Sequence, residues 1–304
     1  MATPAGTVRI GTSTGLVDAA GARPVAHRGQ DVMAVAGAWA VVNGHEVVAE
    51  DGRRAPPVEV SRLACLAHLD VGGGGDRMLA GTADAHLYRV SPRTVERLVS
   101  FDDAEGRHRW YTPWGGPPAA RSIAVSEGGT VLVNVHVGGI LRSTDDCRSW
   151  QATIDLDHDV HQVVAGPGFV LAACAAGLAV SDDDGRSWRI VDDGLAATYA
   201  RAVAVSGETV LLSASTGPLG EQSGVYRRPL NSDQPFERCR AGLPEWFDGN
   251  IDTFWLDGRP DGTAAFTTAG GDIFTTADEG VTWEQMATRV PGPRCLALVS
   301  SRVR

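Results

Sequence analysis

The chain has no lysine: all 27 basic residues among its 304 are arginine. That absence excludes a Schiff base, a lysine general base and a P-loop lysine. Arginine keeps its charge and presents a planar fork of donors, so any basic site here suits carboxylate or phosphate. Long apolar runs are also missing. No stretch approaches the roughly 18 residues of a membrane span, and Met1 to Gly6 lack a basic-then-apolar signal, so no membrane role is expected. CxxC spacing is absent among the five cysteines, Cys65, Cys147, Cys174, Cys239 and Cys295. Three of them, Cys65, Cys174 and Cys295, sit in apolar strand-like runs, where a thiol packs as a small hydrophobe. A reduced, cytoplasmic protein is expected. Excess positive charge is missing as well: a net charge of -10 argues against nucleic acid as a partner.

Glycine is abundant, with 37 scattered copies that point to many tight turns and many short strands. One eight-residue pattern recurs. Ser143 to Trp150, Ser181 to Trp188 and Thr276 to Trp283 all read Ser/Thr-x-Asp-x-Gly-x-Ser/Thr-Trp, with Cys147 in the glycine position of the first copy. Asp145, Asp183 and Asp278 can each accept backbone N–H groups across a tight turn. Glycine supplies the positive φ such a turn needs. Trp150, Trp188 and Trp283 lead into the next strand and bury a large ring. Cysteine at position 147 predicts a distorted or differently built first turn.

These motifs resemble the Asp-box, or bacterial neuraminidase repeat, propellers. That group takes in sialidases, sortilin-type receptors, xyloglucan-active glycosidases and photosystem II assembly factors. The resemblance implies that the box lies between the third and fourth strands of a blade, away from the working face, so its aspartates are structural. It says little of function, because the group spans enzymes, receptors and assembly factors.

Spacing sets the blade count. Asp145 and Asp183 lie 38 positions apart, one blade; Asp183 and Asp278 lie 95 apart, two blades of about 40–50 residues. The expected architecture is a single all-β domain over 1–304, a seven-bladed β-propeller. Its blades are 6–28 with 292–300, 31–58 with a short fourth strand near Pro57, 61–100 with a last strand at 95–100, 120–154, 160–191, 200–240 and 250–288. The C-terminal strand Arg294 to Val299 pairs with the N-terminal strands and closes the ring. Six or eight blades follow if the N-terminal runs divide differently.

Aligning the inner strands puts an ionisable residue at the head of each. These are Asp31, Arg62, Arg121, His161, Arg201, Asp252 and Arg294. In a propeller they would ring one mouth of the central channel. Either the two aspartates neutralise the arginines and plug it, or the surplus of cations holds an anion, with His161 adding charge below about pH 6.5. The loop Trp110 to Pro118 brings Trp110 and Trp114 to the same face, either as a ligand platform or as its own lid.

Three functions follow. The first is a binding propeller, monomeric and cofactor-free, whose arginine-rich mouth takes a small acidic ligand or an acidic peptide. The second is a glycoside hydrolase or lyase acting on an acidic sugar, as the likeness to sialidases implies. Against that, the sialidase Arg-Ile-Pro signature appears only as Arg9-Ile10-Gly11, and a tyrosine with a neighbouring glutamate is lacking. Glu245 and Asp248 are the best acid/base pair, with His161 a further candidate. The third is a metal-dependent enzyme using His136, His158 and His161.

Overall fold

A computed structural model describes residues 6–69 and 76–300. The first five residues of the stretch read above for a targeting signal lie outside the described residues. The fold is nearly all-β, a seven-bladed propeller. Apolar runs such as Val131 to Val135 are too short for core helices and are fenced by glycines, so they form buried strands. At Gly139 the fence is steric: φ is +76°, and an added Cβ would stand 2.5 Å from the Ile154 carbonyl oxygen.

The first sheet contains β1 (Gly6–Thr12), β2 (Gly15–Asp18) and β3 (Arg23–Ala26). The second has β4 (Val32–Ala36), β5 (Trp39–Val42) and β6 (Glu46–Ala49). The third has β7 (Leu63–His68), β8 (Met78–Thr82), β9 (Leu87–Val90) and β10 (Val95–Arg97), and a single helical turn, α1 (Val99–Asp102), follows it. The fourth has β11 (Ala120–Val125), β12 (Val131–Val135), β13 (Gly139–Ser143) and β14 (Gln151–Ala152). The fifth has β15 (Val160–Gly166), β16 (Phe169–Cys174), β17 (Gly177–Ser181) and β18 (Arg189–Val191). The sixth has β19 (Tyr199–Ser206), β20 (Thr209–Ser215), β21 (Gly224–Pro229) and β22 (Glu237–Arg238). The seventh has β23 (Leu256–Gly258), β24 (Ala264–Thr267), β25 (Asp272–Thr276) and β26 (Glu284–Arg289). The last strand, β27 (Cys295–Ser300), joins the first sheet, which runs β27-β1-β2-β3 with Leu296 opposite Ile10 and Leu298 opposite Val8. Closure by the two chain ends is therefore a feature of the fold.

Three strands differ from the sequence expectation. The second sheet has no fourth strand; its place is taken by an isolated bridge from Val48 to Arg54, because Pro56 and Pro57 have no N–H to donate. In the third sheet the last strand stops at Arg97, and Val99–Asp102 turns into α1. Phe101 on that turn is fully buried, 5.6 Å from the Trp110 ring and 5.0 Å from the Trp150 ring, so tertiary packing overrides strand propensity there. In the seventh, Asp252 leads a turn rather than a strand: Phe254 has φ +64° and β23 begins only at Leu256.

By compactness the chain divides into two units. One holds the described residues of Met1–Asp31, Ala175–Leu178 and Val191–Arg304. Within it β19 packs on β23 and β23 on β27, over a core in which Phe266 stacks on Phe274 and meets Phe247 and Trp283 edge-on. The other holds the described residues of Val32–Cys174 and Ala179–Ile190. There β4, β7, β11 and β15 pack in succession, and Trp39, Leu63 and Met78 centre one of its cores.

The three recurring turns share one hydrogen-bond pattern between a third and a fourth strand. The Asp183 Oδ1 accepts the backbone N–H of Arg186 (3.1 Å) and Ser187 (2.8 Å), and its Oδ2 accepts the Ser187 hydroxyl (2.7 Å). Ser181 Oγ accepts the Gly185 N–H at 2.8 Å. Asp145 does the same with Arg148 and Ser149, and Asp278 with Thr282. The Ser149 and Ser187 donors hold the Asp145 and Asp183 carboxyls down to about 2. Cys147 does not distort its turn, contrary to expectation. It takes φ +62° where Gly185 has +78°, and its N–H still meets Ser143 Oγ at 3.1 Å. The side-chain ladder is strong enough to hold a non-glycine residue in the left-handed region.

Candidate functional site

The head of each first strand is where sequence reasoning places the site, and a local irregularity there changes the register. In five sheets the first strand skips one residue against the second. The skipped residues are Met33, Ala64, Arg121, His161 and Arg201. Such a bulge re-aims the extra side chain relative to the pleat. It follows that Arg121, His161 and Arg201 occupy one structural position. Asp31 and Arg62 stand two residues before it, level with Asp159 and Tyr199. The seven aligned residues are not seven equivalent positions, because alignment by apolar runs cannot see the inserted residue.

In the first unit the charges are paired. Arg201 donates through Nε (2.9 Å) and Nη2 (2.6 Å) to Asp252 Oδ1, and its guanidinium lies 5.9 Å from the Tyr199 ring centre. Burial pushes the Arg201 guanidinium down, but Asp252 and Tyr199 outweigh it and raise it above the ordinary value. Arg294 Nε meets Asp31 Oδ1 at 3.2 Å.

The second unit differs. Arg62 donates to the Met33 sulfur at 3.3 Å, and among the described residues no carboxylate lies within ion-pair distance of it. His161, fully buried, lies 3.3 Å from Asp159 Oδ2, and His136 Nε2 lies 3.8 Å from Asp159 Oδ1. Burial pushes the Asp159 carboxyl up, but His161, His136 and Arg121 outweigh that and hold it below the usual range. Arg121 thus shares one carboxylate with two imidazoles. Asn134, in the same sheet and opposite Ser122, is fully buried, and neither of its amide atoms has a partner among the described residues. Such an amide is costly to keep and rare in native cores.

The remaining candidates scatter. Trp110 is buried, tilted against Phe101 and capped by the Arg107 guanidinium at 4.9 Å, so it belongs to the packing under its loop. Trp114 is 72% exposed. Glu245 and Asp248 are both exposed, and neither has a hydrogen-bond or ion-pair partner among the described residues. Nothing positions them as an acid/base pair. His158 does not join His136 and His161: it sits on a 3-10 turn (Leu156–His158). Among the described residues no three His, Cys, Asp or Glu side chains are grouped to hold a metal ion. All five cysteines are free and buried, and burial pushes Cys65 and Cys295 up to about 12.

One cluster escaped sequence reasoning. Asp102 Oδ1 meets His86 Nδ1 at 2.6 Å, and Arg97 Nε donates to Asp102 Oδ2 at 2.7 Å. Arg107 donates to the Ala85 carbonyl at 2.7 Å. Its signal in the sequence, the charged run Phe101 to Arg109 after a strand, was hidden by extending that strand to position 100.

No protein-family model matches the chain, and no curated protein matches its sequence. Solved structures do match. U3-55K is 12% identical, with a TM-score of 0.61 over 94% of this chain and 85% of that one. A chain of a nidogen/laminin complex is 9% identical, with a TM-score of 0.58 over 97% and 99%. YCF48, solved bound to a D1 peptide, is 14% identical, with a TM-score of 0.49 over 80% and 68%. No helix among the described residues is long and apolar enough to cross a membrane.

Proposed function

We propose that this chain is an Asp-box propeller that binds an acidic small molecule or an acidic peptide, with Arg62 and Arg121 as its anchors. The three turns with a common Asp-centred hydrogen-bond pattern support the Asp-box reading. The observation that carries the binding reading is the uneven pairing of the strand-head arginines. Arg201 and Arg294 each hold a carboxylate, whereas Arg62 holds none and Arg121 shares Asp159 with His136 and His161. Arg62 precedes β7 and Arg121 lies in β11, and these two strands pack on each other. Two guanidinium forks on neighbouring strands suit a ligand with more than one carboxylate. The five free thiols support a reducing compartment, and we place the protein in the cytoplasm on that ground.

Isothermal titration with hexaglutamate and with citrate tests this. Binding should weaken as salt rises. Arg121→Met and Arg62→Met should each lose about 1.5–3 kcal/mol of affinity, the scale of a hydrogen bond to a charged group. Failure of both anions to bind at low salt, or full retention of binding by both variants, would sink the reading.

A further inference from the structure

A second surface, unrelated to the strand-head arginines, has the opposite charge. The segment between β10 and β11 stands out from the third and fourth sheets and leaves a cleft of about 610 Å³ against β14. One wall carries Glu105, Arg109 and Trp110; the other carries Trp150, the two residues of β14 and Asp155. A second hollow of about 560 Å³ shares His108 and Trp110 with it and brings Asp84, Asp102 and Asp103. Across the two hollows five carboxylates face Arg107 and Arg109, and Arg97 reaches Asp102 from behind. The surface is acidic, with two indoles for its walls.

The β14 edge adds a backbone feature. This strand is the outermost of its sheet, and both Gln151 and Ala152 are exposed. Ala152 faces Leu141, and the next residue, Thr153, donates its N–H to the Ile140 carbonyl at 3.0 Å. In an antiparallel ladder inward and outward pairs alternate, so Ala152 turns its own N–H and C=O away from β13 and toward the cleft. An outer strand with an open N–H and C=O is a template for one more strand.

We propose that this cleft takes an extended basic peptide segment, which adds as a strand to the edge of β14. The main chain of the guest pairs with Ala152. Alternate side chains of the guest reach the cleft wall, so arginine or lysine at every second position meets Glu105 and Asp155 and lies against the Trp150 indole. An acidic guest would meet Glu105 on one wall and Asp155 on the other, with Arg109 alone among the cleft's arginines to offset them.

The test is fluorescence anisotropy with a labelled octapeptide of alternating arginine and valine, set beside its alternating glutamate and valine counterpart. Three comparisons decide the matter. First, the double variant Glu105→Gln/Asp155→Asn should weaken binding of the arginine peptide about tenfold or more. Second, the control Asp233→Asn/Glu237→Gln, two exposed carboxylates at and just before β22, should change it less than about twofold. Third, the arginine peptide N-methylated at every second residue leaves the protein untouched but cannot donate to a strand edge; in whichever of the two frames blocks the pairing, it should bind about tenfold more weakly. Equal weakening by the control pair would mean that a polycation is merely drawn to an acidic protein, and would overturn the proposal. So would undiminished binding of both N-methylated frames, a preference for the glutamate peptide, or no binding of the arginine peptide at all.

Discussion

The two compact units treat the same residue type in opposite ways. In the first, the strand-head arginines are tied: Arg201 to Asp252 at 2.6 Å, Arg294 to Asp31 at 3.2 Å. In the second, Arg62 donates to the Met33 sulfur, and Arg121 draws on an Asp159 already engaged by two histidines. A guanidinium with its own carboxylate forms a pair with no net charge, whereas Arg62 has no carboxylate within ion-pair distance among the described residues. An arginine at the head of a strand is therefore not by itself a binding residue. What decides is whether the fold delivers a carboxylate to it.

The comparison breaks most visibly at β27. Deleting residues 292–304 removes Arg294, strips β1 of one of its two partner strands and takes away the Leu298 N–H that donates to Asp257 at 2.8 Å. The truncated chain should unfold or aggregate well below the melting temperature of the parent, as measured by scanning calorimetry and light scattering. A truncation that stays monomeric and equally heat-stable would show that closure contributes little.

Next in size is Asp252→Ala, which strands a largely buried guanidinium. It should destabilise by about 2–3 kcal/mol in urea titration, below the fully buried range because Asp252 is partly exposed. Arg62→Met, its counterpart in the other unit, should stay within about 0.5 kcal/mol of the parent. Equal costs at the two sites would erase the contrast between paired and available arginines.

The Asp-centred turns occur in both units and act as an internal control. Asp183→Ala and Asp278→Ala should each cost about 1–2 kcal/mol, the range of a lost side-chain cap, and leave anion affinity unchanged. With Asp183 held at about 2, below the ordinary 3.8, its charged form favours the folded state. That contribution is complete above about pH 4 and is lost as the pH falls toward 2. Thermal melts of the parent and of Asp183→Ala should therefore converge between pH 4 and pH 2. Melts that stay equally far apart down to pH 2 would detach the carboxylate charge from the turn.

Much of the scaffold was legible because its signals are local. Asp183, Gly185, Ser187 and Trp188 lie within one octapeptide, and each acts on atoms a few bonds away, so the turn can be read without knowing what packs on it. Even there the local rule overreached at Cys147, where the hydrogen-bond ladder of Ser143 and Asp145 keeps a positive φ that glycine alone was expected to supply. The strand-head residues were legible as a set but not in register. A bulge inserts one residue, and the apolar runs after Arg62 and after Arg121 look alike whether or not it is there. For Trp110 the sequence leaves open a ligand platform or a lid over its own loop; packing on the buried Phe101 ring, a contact no local pattern encodes, places it among the buried residues.

The sequence by itself determined the blade repeat, with seven blades as its reading and six or eight as alternatives, the turns that join third and fourth strands, and the pairing of the two chain ends. All three follow from short-range turn chemistry and from the spacing of apolar runs. The tertiary structure alone fixed the count at seven and decided which arginines meet a carboxylate of their own. Arg201 finds Asp252 across 51 positions and Arg294 finds Asp31 across 263. No local pattern encodes such a meeting: an ion pair depends on a distance of a few ångströms, and only the packing of one sheet on the next sets that distance.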